Sequence, residues 1–460
     1  MTGNMEKVRP APSVTTISGP DTYSSKIELA YNGSREDLDP YIPSEHRAVE
    51  SNTSTFGALA HLLKASLGSG VLAMPLAFKN AGLLVGAIGT ALVGLICGHA
   101  IHVLVRTSQE LCAEVKKPCL GYAATCDLVF QNGPKPVRKF ATFARELADW
   151  ALAVTHLGAC CVYVVAAGTS FQQVLTHHGA PEWSLQIYAA LMLIVLVPLT
   201  QIRNLKYLVP FSTFANFVWL FSICISMYYC MRDPPPINER RIATGISGIP
   251  NFISTSLFAM EGIGVVMPIE NEMLKPHQFL GCPGVLNIAM TAVVTMYGFV
   301  GFMGYWQYGD NIGGQLIHSL PQDEILAQTA NLLVACVMLL SFALVYYVPV
   351  DVVWRRIQNR IPAKAQNWSM AGLRLFGTLL IVAVACAIPK IHFFMDLVGA
   401  VCLSVMGLLL PAVVETIWRW SRDLTPCHWV VWKNGIIVVF SLVAMVSGFT
   451  YALIDLVNNV

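Results

Sequence analysis

The stretch FGALAHLLKASLGSGVLAMP, residues 56 to 75, is apolar enough to enter a membrane but does not read as one uninterrupted helix. Gly68 and Gly70 stand one residue apart near its middle, and Pro75 follows. A glycine costs a helix interior about 1 kcal/mol relative to alanine. Close crossing of two helices accounts for one such glycine; for a pair flanking a single serine, an unwound stretch is the simplest account. The same grammar returns in STSLFAMEGIGVVMP, residues 254 to 268, where Glu261-Gly262-Ile263-Gly264 interrupts the run and Pro268 follows. Each interruption lies about twelve residues into its apolar run.

A hydrocarbon core about 30 Å thick takes roughly 20 helical residues. That ruler marks eleven segments: 56–78, 81–105, 148–175, 184–202, 207–231, 250–272, 283–307, 325–350, 371–389, 392–418 and 431–455. The expected fold is therefore an all-α polytopic membrane protein. Composition agrees, with 55% of 460 residues hydrophobic and only 12% charged, about half the share of a soluble domain. This excludes a coiled coil, a basic nucleic-acid binder and any large soluble catalytic domain. The thirteen cysteines show no C-x-x-C or Cys/His ligand spacing, so no metal or cofactor is expected. Most, Cys97, Cys160 and Cys161 among them, read as small packing residues. Residues 1–50 are polar and rich in Ser, Pro and Asp, and read as a disordered cytosolic tail.

Lysine and arginine set the orientation. With the N-terminus inside, 23 of the 29 fall on the cytosolic side and five outside, with Lys64 inside the first span. Eleven spans then put the C-terminus outside or in an organelle lumen. The long cytosolic connection from Arg106 to Arg145 ends with Phe140, Phe143, Ala144 and Leu147 at the spacing of an amphipathic helix on the inner face. No loop has room for an enzyme, and no Walker lysine loop, H-E-x-x-H or intramembrane Asp pair is present.

The two interrupted spans are five apart and run in opposite directions, the pattern of an inverted repeat of five plus five helices. Repeat one spans about 56–231, repeat two about 250–418, and 431–455 is an extra helix, all within a transporter domain of residues 51–455. Unwinding frees backbone N–H and C=O groups that lipid cannot satisfy. The half-helix starting after Gly70 offers a positive N-terminal dipole suited to a carboxylate, and the one ending near Met260 offers carbonyls suited to an ammonium. A solute carrying both groups a few ångströms apart is an amino acid.

At these residues the chain resembles the proton-assisted amino acid transporters of the amino acid/auxin permease superfamily. The run from His61 to Pro75 is similar to their first-helix signature, and that from Phe258 to Asn271 to their sixth-helix signature. The resemblance covers roughly residues 50–455. It implies a LeuT-like fold, alternating access, and symport of small neutral amino acids such as alanine, glycine or proline with a proton. It also implies that His61 is the proton-linked residue. The chain departs from the family pattern at Ala65-Ser66, often Gly-Asn, and at Ser69, often Thr. Sequons at Asn32, Asn52 and Asn367 all fall on the expected cytosolic side.

The residues themselves assign roles as follows. His61 shares a helical face with Lys64, Ala65 and Gly68, and histidine titrates near physiological pH, so it is either the proton carrier or a structural residue near the interface. Glu261 is expected to be the only carboxylate at the midplane, where it binds the substrate ammonium, shares a proton with His61 or ties the broken helix to a neighbour. Substrate contacts are expected from Ala65, Ser66, Gly68, Ser69, Gly70, Phe258, Gly262 and Gly264, with Tyr163 and Ser341 lining the cavity. His156 is an alternative relay or a packing element. Glu270 and Glu272 read as gate or surface residues. Three functions remain in competition. The first is a proton symporter; the second is a sodium-coupled relative. The third is an amino acid sensor with slow transport and growth-signalling partners on the cytosolic side. Proton coupling suits the plasma membrane and a late endosomal or lysosomal membrane equally.

Overall fold

The structure, a computed structural model, describes residues 41–47, 53–66, 68–202, 209–260, 262–420, 422 and 428–458. The remainder of the expected tail and Glu261 lie outside the described residues. Helices run in the order α1 (Thr55–Ser66), α2 (Ser69–Ala81), α3 (Leu83–Glu114), α4 (Tyr122–Asn132), α5 (Ala141–His177), α6 (Leu185–Leu191), α7 (Leu193–Thr200) and α8 (Val209–Met231). They continue as α9 (Ile249–Ala259), α10 (Ile263–Asn271), α11 (Val285–Tyr308), α12 (Ile325–Ile357), α13 (Gln366–Ala387) and α14 (Ile391–Leu397). A π-helical segment, Val398–Leu409, joins α14 to α15 (Leu410–Trp420), and α16 (Trp429–Asn458) follows.

Among the described residues nine helices are long and apolar enough to cross a membrane, and the bent pair α1–α2 makes ten. The segment expected at 184–202 is the shorter apolar stretch Leu185–Thr200, so a count of eleven does not follow from helix length. Its end has a local cause. The buried Arg374 guanidinium donates to the carbonyls of Thr200 (3.2 Å) and Ile202 (2.8 Å), satisfying groups that a longer helix would otherwise bond. The separate amphipathic helix expected near Phe140 is also corrected: from Ala141 the chain is already the first turn of the 37-residue α5. Phe140 just before it and Phe143 on it are exposed while Ala144 is buried.

The core is organised by glycines from three spans that converge on α9. A Cβ at Gly70 would stand 2.5 Å from the Ala259 Cα and 2.7 Å from its carbonyl oxygen. A Cβ at Gly399, in the π segment, would collide with the Ser254 carbonyl, and one at Gly448, on α16, with the Ser254 hydroxyl. Only hydrogen at these positions lets α2, the π segment and α16 lie backbone-close to α9.

Charged side chains gather at the two ends of the bundle, which we call inner and outer by the positive-inside reading. At the inner end Glu110 accepts from Arg419 (2.6 Å) and Glu114 from Arg422 (2.5 Å), tying α3 to the end of α15. The expected tail is folded where it meets the bundle. Arg47 donates to the buried Glu270 carboxylate (3.1 Å), to the Glu270 carbonyl (2.8 Å) and to the Pro118 carbonyl (3.0 Å), and Thr53 bridges Met273. Gln109 donates a further bond to Glu270 at 2.8 Å. At the outer end the loop after α2 turns at Gly82 (φ +89°), because Leu83 and Leu84 donate to the Arg241 and Ile242 carbonyls. Segment 309–324 closes over this end, with the His318 ring bonded to Ser170 on α5 at 3.1 Å and its Nδ1 shut off from solvent.

Two outcomes follow. Gly399→Ala is expected to cost about 1–3 kcal/mol, read as a lower melting temperature in detergent. Gly372→Ala, where nothing among the described residues lies within 4 Å of the Cβ position, is expected to be neutral or slightly stabilising. Burial also pushes the His318 pKa from 6.5 down to about 4. Between those values the unfolded segment binds more protons, so this residue's contribution to stability falls as pH drops through that window. Amide protection factors over residues 312–320, corrected for the intrinsic pH dependence of exchange, should fall with acid, and His318→Gln should flatten that dependence.

Candidate functional site at the junction of two broken helices

Both interruptions are present and they meet. The first comes after twelve residues of α1 and the second after eleven of α9. The axes of α1 and α2 meet at 52°. Between them Gly68 is extended (φ −127°, ψ −159°) and caps α2 without a side chain. In the second break the Met260 amide still closes on the Ser256 carbonyl (3.0 Å), and Gly262 (φ −155°, ψ −15°) starts α10. A Cβ on Gly262 would stand 3.6 Å from the Ser66 hydroxyl. With Gly70 on Ala259, this joins the two breaks into one site.

The paired glycines divide their work in the same way in both spans. Gly68 and Gly262 lie in unwound backbone, while Gly70 is pressed on Ala259 and Gly264 on Leu152, 2.8 Å from its Cβ position. Close crossing thus explains one glycine of each pair and unwinding the other. Among the described residues nothing lies within 4 Å of the Gly68 Cβ position, beside the start of α2. At the start of α2 the Val71 amide closes on the Gly68 carbonyl (3.4 Å), and at the end of α9 the Met260 amide donates to Ser256 and Phe258; beyond such caps a helix end lacks the full helical set of partners. The site therefore sets a positive helix end beside a negative one.

Ser66, Ser69, Gly70, Phe258 and Gly262 are buried around this junction. Ala65 and His61 are instead exposed on α1. The expectation that His61 points where Gly68 opens assumed helical periodicity through residue 68; α1 ends at Ser66 and turns, so that relation is lost. Gly264 stands against α5, where Leu152 and His156 flank it. His156 is bonded to its own helix through the Leu152 carbonyl at 2.8 Å. Tyr163 on α5 and Ser341 on α12 are half-buried. Among the described residues no hydrogen bond joins Ser341 to either broken helix.

Two residues that the sequence reading passed over belong here. Tyr297 on α11, fully buried, donates its hydroxyl to the Ser66 carbonyl, the last of α1. Asp396 on α14 is a second carboxylate inside an apolar span, 4% exposed, and it accepts from the Thr255 hydroxyl of α9 at 2.6 Å. Its signal was available as a lone acid in the run 391–410.

A family model described as transmembrane amino acid transporter protein matches residues 51–454. The chain belongs to that family. Within it, the chain is 36% identical over 434 residues to the Drosophila melanogaster protein named proton-coupled amino acid transporter-like protein pathetic, covering 94% of this chain and 91% of that one. It is 25% identical to the Caenorhabditis elegans probable amino acid transporter skat-1, covering 79% and 80%. Among solved structures, inward-facing Mhp1 matches with a TM-score of 0.54 at 12% identity, covering 93% of both chains. The closed form of Mhp1, a nucleobase-cation-symport-1 family transporter with bromovinylhydantoin bound, matches with a TM-score of 0.51 at 13% identity, covering 91% and 94%. The fold is the LeuT-like one, and the chain is a transporter of the amino acid family rather than an enzyme.

Tyr297→Phe tests the junction's framework. Losing the bond to Ser66 is expected to lower stability by about 1 kcal/mol and to slow amino acid uptake, measured together as melting temperature and labelled-substrate flux.

Proposed function

We propose that the protein is a secondary active symporter that moves small neutral amino acids of the alanine, glycine and proline class with protons by alternating access. The observation that carries the reading is the junction itself, where the amide end of α2 lies against the carbonyl end of α9 through the Gly70–Ala259 contact. A zwitterion places its carboxylate at the first and its ammonium at the second. The relative named as proton-coupled, similar along most of the chain, supports the choice of driving ion.

On this reading Ser66, Gly68, Ser69, Gly70, Phe258, Gly262 and Gly264 form the substrate site, with Ala65, Tyr163 and Ser341 at its margin. His61 and Glu261 carry the coupled proton. Repeats at about 56–231 and 250–418 rock against one another, with 431–455 outside the repeat. The N-terminus is cytosolic, the C-terminus extracellular or luminal, and the membrane is the plasma membrane or that of a late endosome or lysosome.

The deciding experiment is uptake of labelled alanine, glycine and proline at acidic and neutral outer pH, with and without sodium, in wild type and His61→Ala. Acid-stimulated, sodium-independent uptake that falls at least about tenfold in the variant is expected. Sodium-dependent uptake indifferent to pH would overturn the reading.

A further inference from the structure

We propose that Asp396 is a proton-binding site of the transport cycle, linked through Thr255 to the outer half of the broken sixth span and reached from the outer end past His392 and Asp455. The inference rests on the symport reading and adds a group outside the His61–Glu261 pair. Asp396 lies within an apolar span and is 4% exposed, where an ionised carboxylate costs several kcal/mol unless a cation pairs with it. Among the described residues its hydrogen-bond partner is a neutral hydroxyl, that of Thr255, itself fully buried.

Among the described residues no cationic side chain is hydrogen-bonded or ion-paired to Asp396. α9 carries no titratable residue from Ile249 to Ala259. α16 presents Asp455, a second negative charge that acts on Asp396 through space. α5 brings Cys160, Cys161, Tyr163 and His156 around Gly158, which backs onto Val398. On its own span His392 lies one helical turn before Asp396, Lys390 precedes the helix and Cys402 follows. A proton meets this site's need directly. Taken from hydronium at the outer end, leaving water, it converts the carboxylate to the neutral acid; return to water on the other side restores the charge.

A route and a lever are both in place. His392 Nε2 lies 2.9 Å from the Asp455 carboxylate, and both side chains are more than a third exposed, one helical turn from Asp396 toward the end we call outer. Thr255 is four residues before Ala259, the residue against which Gly70 is packed, and Gly399 holds the two backbones together at Ser254. The charge on Asp396 therefore acts on the same half-helix that ends at the substrate junction. The twelve-residue π segment begins two residues after Asp396, and π geometry recurs at functional positions in helices.

The test uses the full-length protein in liposomes with an inward proton gradient, following labelled alanine uptake, alanine counterflow and proton influx. In Asp396→Asn the ratio of acidic to neutral uptake should fall to about one, and proton influx per alanine should fall at least about tenfold. Asp396→Glu should keep coupling with a displaced pH midpoint, and Thr255→Val should displace the midpoint while counterflow persists. Wild-type acid stimulation and proton influx in Asp396→Asn would overturn the proposal while leaving symport intact. Absence of proton influx in the wild type would overturn both. If Asp396→Asn carries no alanine in any assay, the other two variants decide, and unmoved midpoints in both overturn the proposal.

Discussion

At Gly70 and Ala259 two backbones touch with no side chain between them, and the rest of the molecule is arranged to permit that contact. Lipid gives helices no hydrophobic reason to associate, so the gain must come from close packing over long seams. α9 collects three such seams, from α2, the π segment and α16, each through a glycine. A half-helix held on three sides can stop in the middle of the bundle without fraying. Its terminal carbonyls then face a neighbour in place of lipid, which a spanning helix exposed to hydrocarbon could not tolerate.

Polar chemistry is distributed to match. Ion pairs lie at the ends: Glu110 with Arg419 and Glu114 with Arg422 at one, Arg232 with Glu324 at the other. Most are partly exposed and individually weak. The Arg47–Glu270 pair differs because Glu270 is 2% exposed, so its carboxylate depends on the arginine and on Gln109 for compensation. Between the ends, among the described residues, the junction presents main-chain dipoles and hydroxyls.

Much of the fold was legible in the sequence because the bilayer enforces length and apolarity, and because breaks at Gly68 and Gly262 are costly enough to need a reason. The junction residues Ser66, Ser69, Gly70, Phe258 and Gly262 were legible for the same cause. What periodicity missed were relations across spans. No spacing rule says that Tyr297 reaches the Ser66 carbonyl, or that Asp396 meets Thr255, 141 positions earlier. The face expected to be shared by His61 and Gly68 was not legible, because a helical wheel drawn through residue 68 continues a helix that ends at Ser66. The short fourth apolar segment and the long start of α5 escaped because hydropathy does not see an arginine capping carbonyls or a helix extending beyond the bilayer.

The glycine seams also bear on how the chain can change over generations. At Gly70 and Gly399 the atoms that exclude a methyl group are main-chain atoms, so no shrinkage of a neighbouring residue can make room. At Gly448 the obstacle includes the Ser254 hydroxyl, which a second substitution can remove. Gly68, Gly407 and Gly435 have nothing within 4 Å of the Cβ position among the described residues. Identical letters thus carry unequal freedom. A lineage departing from glycine at the first two positions must move a whole helix, and with it the shape of the passage, in a single step.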